Sequence, residues 1–152
     1  MPTLDDVYRK FGEASEAAQL LETELGNLLL LAGIVEADLI GNPEKARPFL
    51  ENINRATLGQ LVARLKAGSP ESVAHLEGLL ARALKERNRL SHSFYREHNF
   101  RRNSDDGRAL MLQDLEGIHT ALLDAYKFLM LLSGVDLDKL TADRLPTRHL
   151  PL

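Results

Sequence analysis

At 152 residues with a net charge of −3, the chain is most simply one domain, long enough to bury a core without staples. Its 44% hydrophobic content excludes a disordered chain, and the lack of cysteine excludes disulfides, thiolate metal sites and a cysteine nucleophile. The acidic start Met1-Pro2-Thr3-Leu4-Asp5-Asp6 carries no signal-peptide stretch, and the greasiest run, Leu28 to Val35, is too short to span a bilayer; a cytoplasmic location with no membrane partner is expected.

The first helix is predicted from about Leu4 to Leu39, capped by Thr3 or Asp5. Phe11, Ala14, Ala18, Leu21, Leu25, Leu28, Ala32 and Val35 step by three and four, the seam of a packed bundle helix. The Gly41-Asn42-Pro43 turn ends it. A second helical region covers Ala46 to Ala67, with Leu58, Leu61, Val62 and Leu65 on its buried side. At Gly68-Ser69-Pro70-Glu71 the chain stops and restarts: Ser69 can cap, Pro70 suits the first helical position and Glu71 complements the helix dipole.

The third helix is predicted from Pro70 to about His98, with Val73, Leu76, Leu80, Ala83, Arg87, Leu90 and Phe94 along one seam. Asn99 to Gly107 reads as a loop, with Asp105 or Asp106 capping a fourth helix from about Arg108 to Ser133. Met111, Leu115, Ile118, Leu122, Ala125, Leu129 and Leu132 form its seam, and Gly134 ends it. No run alternates with period two over a strand's length. The expected fold is all-α: a four-helix up-and-down bundle over residues 1–134, then a short docked segment or frayed C-terminal tail over 135–152.

Charge is unevenly spread. Between Arg82 and Arg102 seven basic residues (Arg82, Lys85, Arg87, Arg89, Arg96, Arg101 and Arg102) face two acids, Glu86 and Glu97; this segment is +5 and the remainder −8. A basic stripe on an acidic protein is either a solvated helix face or a polyanion site.

The third helix also carries an anomaly. At 100° per residue, Leu76, Leu80, Ala83, Leu84, Leu90 and Phe94 fall within about 60° of Arg87. An unpaired buried charge costs several kcal/mol. Arg87 therefore needs an acidic partner, an opening in the stripe, or a second subunit. Asn88 and His92, four apart, neighbour each other beside that stripe, and Tyr95 and Arg96 follow His92 by three and four.

Arg87-Asn88-Arg89-Leu90-Ser91-His92 thus reads Arg-Asn-x-x-x-His, late in a long helix of a small bundle. In this the chain resembles the HEPN superfamily. The resemblance covers the motif and the general four-helix layout. It implies a metal-independent endoribonuclease without cofactor, commonly the toxin of a toxin–antitoxin or phage-defence system. It implies RNA as partner, and a homodimer in which two motifs form one composite site. An antitoxin, nucleotidyltransferase-like or other, is a further implied partner. By resemblance Arg87 and His92 are the catalytic pair, and Asn88 is the polar residue that often follows the Arg. Some HEPN toxins carry, two residues after the His, a Tyr modified by a partner nucleotidyltransferase; here Phe94 holds that place and the Tyr is Tyr95.

The chemistry suits these residue types. RNA cleavage without a metal uses the 2′-hydroxyl as nucleophile, so one group must take its proton and another must protonate the leaving 5′-oxygen. Histidine can do either, and an Arg fork holds charge on the phosphoryl oxygens. One His per chain makes a dimer attractive. Arg96, Arg101, Arg102 and Tyr95 are expected to hold the RNA.

Two rivals come from other classes. One is a non-catalytic HEPN-like module that binds nucleotide or protein. The other is a ferritin-like carboxylate metal enzyme, for which Glu116-Gly117-Ile118-His119 supplies one Glu-x-x-His where two are needed. His92 and His98, six apart, diverge by about 120° and do not share a metal, so no metal site is expected.

Overall fold

A computed structural model describes residues 1–37, 42–55, 74–132 and 134–140. The predicted seam Leu58, Leu61, Val62 and Leu65, the restart at Ser69-Pro70-Glu71 and residues 141–152 of the tail lie outside the described residues. Among the described residues all regular structure is helical, so the fold is all-α.

Helix α1 spans Leu4–Ala37. Thr3 Oγ1 accepts a hydrogen bond from Asp6 N at 3.1 Å, and Asp6 Oδ2 accepts one from Thr3 N at 2.8 Å, a reciprocal cap that fixes the helix start. Of its predicted seam, Ala14, Ala18, Leu21 and Leu25 are buried, and Phe11 and Leu28 pack against them. Val7 and Ala17 join this core as well.

Helix α2 spans Pro43–Arg55, three residues earlier than the predicted Ala46. The Asn42 carbonyl accepts from Lys45 N and Ala46 N, both at 3.0 Å, and Pro43 takes the first helical position, where a missing N–H costs nothing.

Helix α3 spans Ala74–His92 and α4 spans Phe94–His98. The predicted single helix ends at His98 as expected but kinks at Ser93, whose ψ of −24° with φ of −127° leaves the helical region. Asn99–Asn103 is a 3-10 turn where a loop was predicted.

Helix α5 spans Asp105–Leu132, beginning three residues before the predicted Arg108. Its cap is Ser104, displacing the predicted Asp105 or Asp106: extended backbone lets Ser104 Oγ accept from Gly107 N at 3.1 Å. The two aspartates lie in the first turn, where their charge favours the dipole. Met111, Leu115, Ile118, Leu122, Ala125 and Leu129 are all buried. At the far end Gly134 takes a φ of 85°, and the bonds Gly134 N to Leu131 O and Val135 N to Met130 O close a Schellman motif. A short 3-10 turn, Leu137–Lys139, follows.

The contacts fix the helix directions. Pro2 O accepts from Arg108, and Lys10 bonds His119, so α1 and α5 run parallel. Glu22 meets Arg87 and Phe11 meets Phe94, so α3 runs antiparallel to α1. Strict up-and-down alternation of four helices would set the first and third parallel, an arrangement the described helices do not show. Among the described residues no helix is long and apolar enough to cross a membrane.

Candidate functional site

Arg87 sits where the apolar stripe of α3 meets α1. Its Nε and Nη2 each lie 3.0 Å from Glu22 Oε1, and its Nη1 donates to Asn88 Oδ1 at 3.3 Å. The Arg87 side chain is 24% exposed and Glu22 26%, so the pair is shielded but reachable. Two of the three conditions set by the anomaly hold together: the arginine has an acidic partner, and the stripe opens beside it. That opening is a groove of about 400 Å³ between α1 and α3, lined by Phe11, Ser15, Glu22, Arg87, Leu90 and Ser91.

Asn88 and His92 lie on the exposed flank of α3, beside the groove rather than inside it. His92 is the last residue of α3, directly before the kink. Arg96 Nη2 donates to His92 O at 3.0 Å, satisfying a carbonyl that the kink would otherwise leave bare and setting a guanidinium over the helix end. Arg87, Asn88 and His92 thus share the C-terminal end of α3, with the side chains of Arg87 and Asn88 joined by a hydrogen bond, and Arg96 of α4 reaches back to it.

Tyr95 turns towards α1. Its ring lies 5.2 Å from that of Phe11 and 5.2 Å from that of Phe94, and it is 41% exposed. Burial raises its hydroxyl above the ordinary phenol value. Arg102 reaches the same side and donates to Tyr8 Oη at 3.0 Å. Arg101 goes the other way. Its Nη1 lies 3.1 Å from His98 Nδ1, beside Asp114 on α5. Arg101 and Arg102, expected to line one surface together, bracket the turn on opposite sides, because successive residues of a 3-10 helix diverge by about 120°.

His98 is the buried member of a polar network, only 4% exposed and tilted against Phe94 at 4.5 Å. Its Nε2 is 2.8 Å from Asp114 Oδ2. Arg101 can only donate, so Nδ1 accepts and the proton on Nε2 goes to Asp114. Arg89 joins the cluster through Glu86, Glu97 and Asp114. Burial pushes the Asp114 carboxyl up, but the hydrogen bonds from Arg89 and His98 outweigh it and hold it below the usual carboxylate range. Arg89, counted in the basic segment, is therefore a structural cation.

Glu116 and His119, the single Glu-x-x-His, receive Lys10 from α1. Its Nζ pairs with Glu116, lies 2.9 Å from His119 Nδ1 and 3.3 Å from Glu13. An ammonium occupies the space between these two side chains, which does not fit the ferritin-like reading. Among the described residues no cluster of three or more His, Cys, Asp or Glu is arranged for a metal ion.

Sequence reasoning missed Glu22, His98 and Lys10 as partners. Glu22 carried a signal: Phe11, Ser15, Ala18 and Glu22 step by four, three and four, so an acid ends a ridge of the α1 seam just as Arg87 interrupts that of α3. His98 likewise continues the buried ridge of Leu90 and Phe94. Comparison of the chain with protein-family models, curated proteins and solved structures finds no match.

Proposed function

We propose that the chain is a metal-independent endoribonuclease of the HEPN kind, the toxin of a toxin–antitoxin or phage-defence system, with a composite site at a homodimer interface. The observation that carries this reading is that Arg87, Asn88 and His92 end α3 next to an open groove, with Arg96 of α4 bonded back to the His92 carbonyl. In this reading two copies meet along the outer flank of α3. One imidazole takes the proton of the 2′-hydroxyl as it attacks phosphorus, and the His92 of the partner subunit protonates the departing 5′-oxygen. Arg87 holds the charge gathering on the phosphoryl oxygens, with Glu22 and Asn88 setting its direction. Tyr95, Arg96 and Arg102 would hold the RNA on this side; Arg101 would reach it around the far side of the turn. The protein would act in the cytoplasm, restrained by an antitoxin, nucleotidyltransferase-like or other.

The non-catalytic alternative also has an observation in its favour. Arg87 is already neutralised by Glu22, so its charge needs neither RNA nor a second subunit. Incubating the purified protein with RNA in EDTA separates the two. The nuclease reading expects a homodimer by light scattering and products ending in 2′,3′-cyclic phosphate. It also expects His92→Ala to slow cleavage by roughly a hundredfold or more, with Asn88→Ala milder. His92 is exposed, so its removal should leave folding intact, which circular dichroism checks. RNA binding without turnover would favour the binding module.

A further inference from the structure

Phe100 is the anomaly of the far end of the molecule. It is 77% exposed, and its ring makes no aromatic contact among the described residues. An aromatic ring in water contributes nothing to the core. Yet the turn that carries it is firmly held. Arg108 Nη1 donates to Arg102 O at 2.9 Å, Ser104 N donates to Arg101 O at 3.3 Å, and the backbone of Arg101 lies so close to Gly107 that no side chain fits there. The turn Asn99–Asn103 contains no acid. Of the acids flanking it in sequence, Glu97 is held by Arg89 and Asp105 by Arg108, while Asp106 stays exposed.

Two exposed arginines follow the ring, Arg101 tethered to His98 and Arg102 to Tyr8, each through one hydrogen bond among the described residues. Each guanidinium keeps further N–H donors in fixed positions. An exposed aromatic in a clamped turn, followed by two exposed arginines tethered on opposite sides of that turn, matches one ligand chemistry: an unpaired base to stack on the ring, with backbone phosphates for the arginines. A duplex offers no free base face. One ring is also too small an apolar area for a stable protein interface.

We infer that Phe100 is a stacking finger for an unpaired nucleobase, and that Arg101 and Arg102 grip the phosphates around that nucleotide. This deepens the ribonuclease reading, on which it rests for RNA as the natural ligand, by selecting single strands over duplex. Stacking adds affinity without reading sequence, since every base has a π-face.

The chain contains no tryptophan, so Phe100→Trp places a single indole at the finger. Titration with an oligouridine whose 2′-oxygens are methylated, which lacks the nucleophile and cannot be cleaved, is expected to quench its emission to saturation. A blunt RNA duplex of equal length is expected to leave it unquenched. Phe100→Ala should weaken single-strand binding about tenfold with an unchanged salt slope. Arg101→Ala and Arg102→Ala should each lower that slope by about one. Unchanged thermal midpoints verify folding.

An indole that stays bright while the single strand binds by anisotropy overturns the inference, as does failure of the single strand to bind. A blue shift with protein concentration alone would make the finger a contact between copies. A blue shift on anionic phospholipid vesicles would make it a lipid contact. Either outcome removes the base-stacking assignment. Because the probe is uncleavable, quenching without cleavage of ordinary RNA defeats the nuclease reading alone, whereas cleavage without quenching defeats only the finger.

Discussion

Arg87 and Glu22, 65 positions apart, meet with two guanidinium nitrogens on one carboxylate oxygen, each at 3.0 Å. This pair ties α3 to α1 beside the groove, and it is where a structural role and the proposed catalytic role of the motif would overlap.

The overlap can be separated by charge. Glu22→Gln keeps shape and a hydrogen-bond acceptor, and should cost about 0.5–1 kcal/mol for a pair this shielded. Arg87→Met strands a half-buried carboxylate and should cost more, about 1–3 kcal/mol. The double variant should regain part of that loss in urea denaturation. A regained fold with cleavage still absent would assign Arg87 to the chemistry. Cleavage restored along with stability would reduce it to a strut.

Stability should depend on pH through His119. Burial of the ring, and then the Lys10 ammonium beside it, hold its imidazole below the ordinary 6.5. The unfolded chain therefore takes up this proton first. The residue's contribution is complete above about pH 6.5 and is lost as pH falls towards the lower folded value. Glu116, held below 4.5 chiefly by its hydrogen bond from Lys10, adds a further loss below that pH. Thermal midpoints recorded by circular dichroism should fall on acidification from pH 6.5, and His119→Gln should flatten the first part of that decline. An identical slope in the variant would move the effect elsewhere.

Gly107 and Gly117, on the same helix, should respond oppositely to alanine. A Cβ at Gly107 would lie 2.7 Å from Arg101 Cα and closer still to its carbonyl oxygen, both backbone, so the turn must move. The clash should outweigh the helix-propensity gain of about 1 kcal/mol and leave a net loss of about 1–3 kcal/mol. At Gly117 a Cβ meets nothing within 4 Å, and Gly117→Ala should stabilise by about 0.5–1 kcal/mol. If Gly107→Ala were as stable as the parent, the turn would not be clamped as described, and Phe100 would lose its rigid mount.

What the sequence determined by itself is local and periodic. A residue's place on a 3.6-residue helix follows from its neighbours in the chain, so the α5 seam from Met111 to Leu129, the Thr3 cap and the Gly134 stop could all be read from residue order. Even the anomaly of Arg87 was visible, because an arginine among leucines breaks the pattern. Tertiary structure decided what depends on which helix faces which. Glu22 answers Arg87 only once α3 lies antiparallel to α1, and Lys10 enters between Glu116 and His119 only because α1 and α5 run parallel. The kink at Ser93 and the opposite aims of Arg101 and Arg102 turn on a few backbone dihedrals. The turn that aims the two arginines packs against α5, where Gly107 leaves room for the Arg101 backbone, and no run of residues between Arg87 and Arg102 encodes that contact alone.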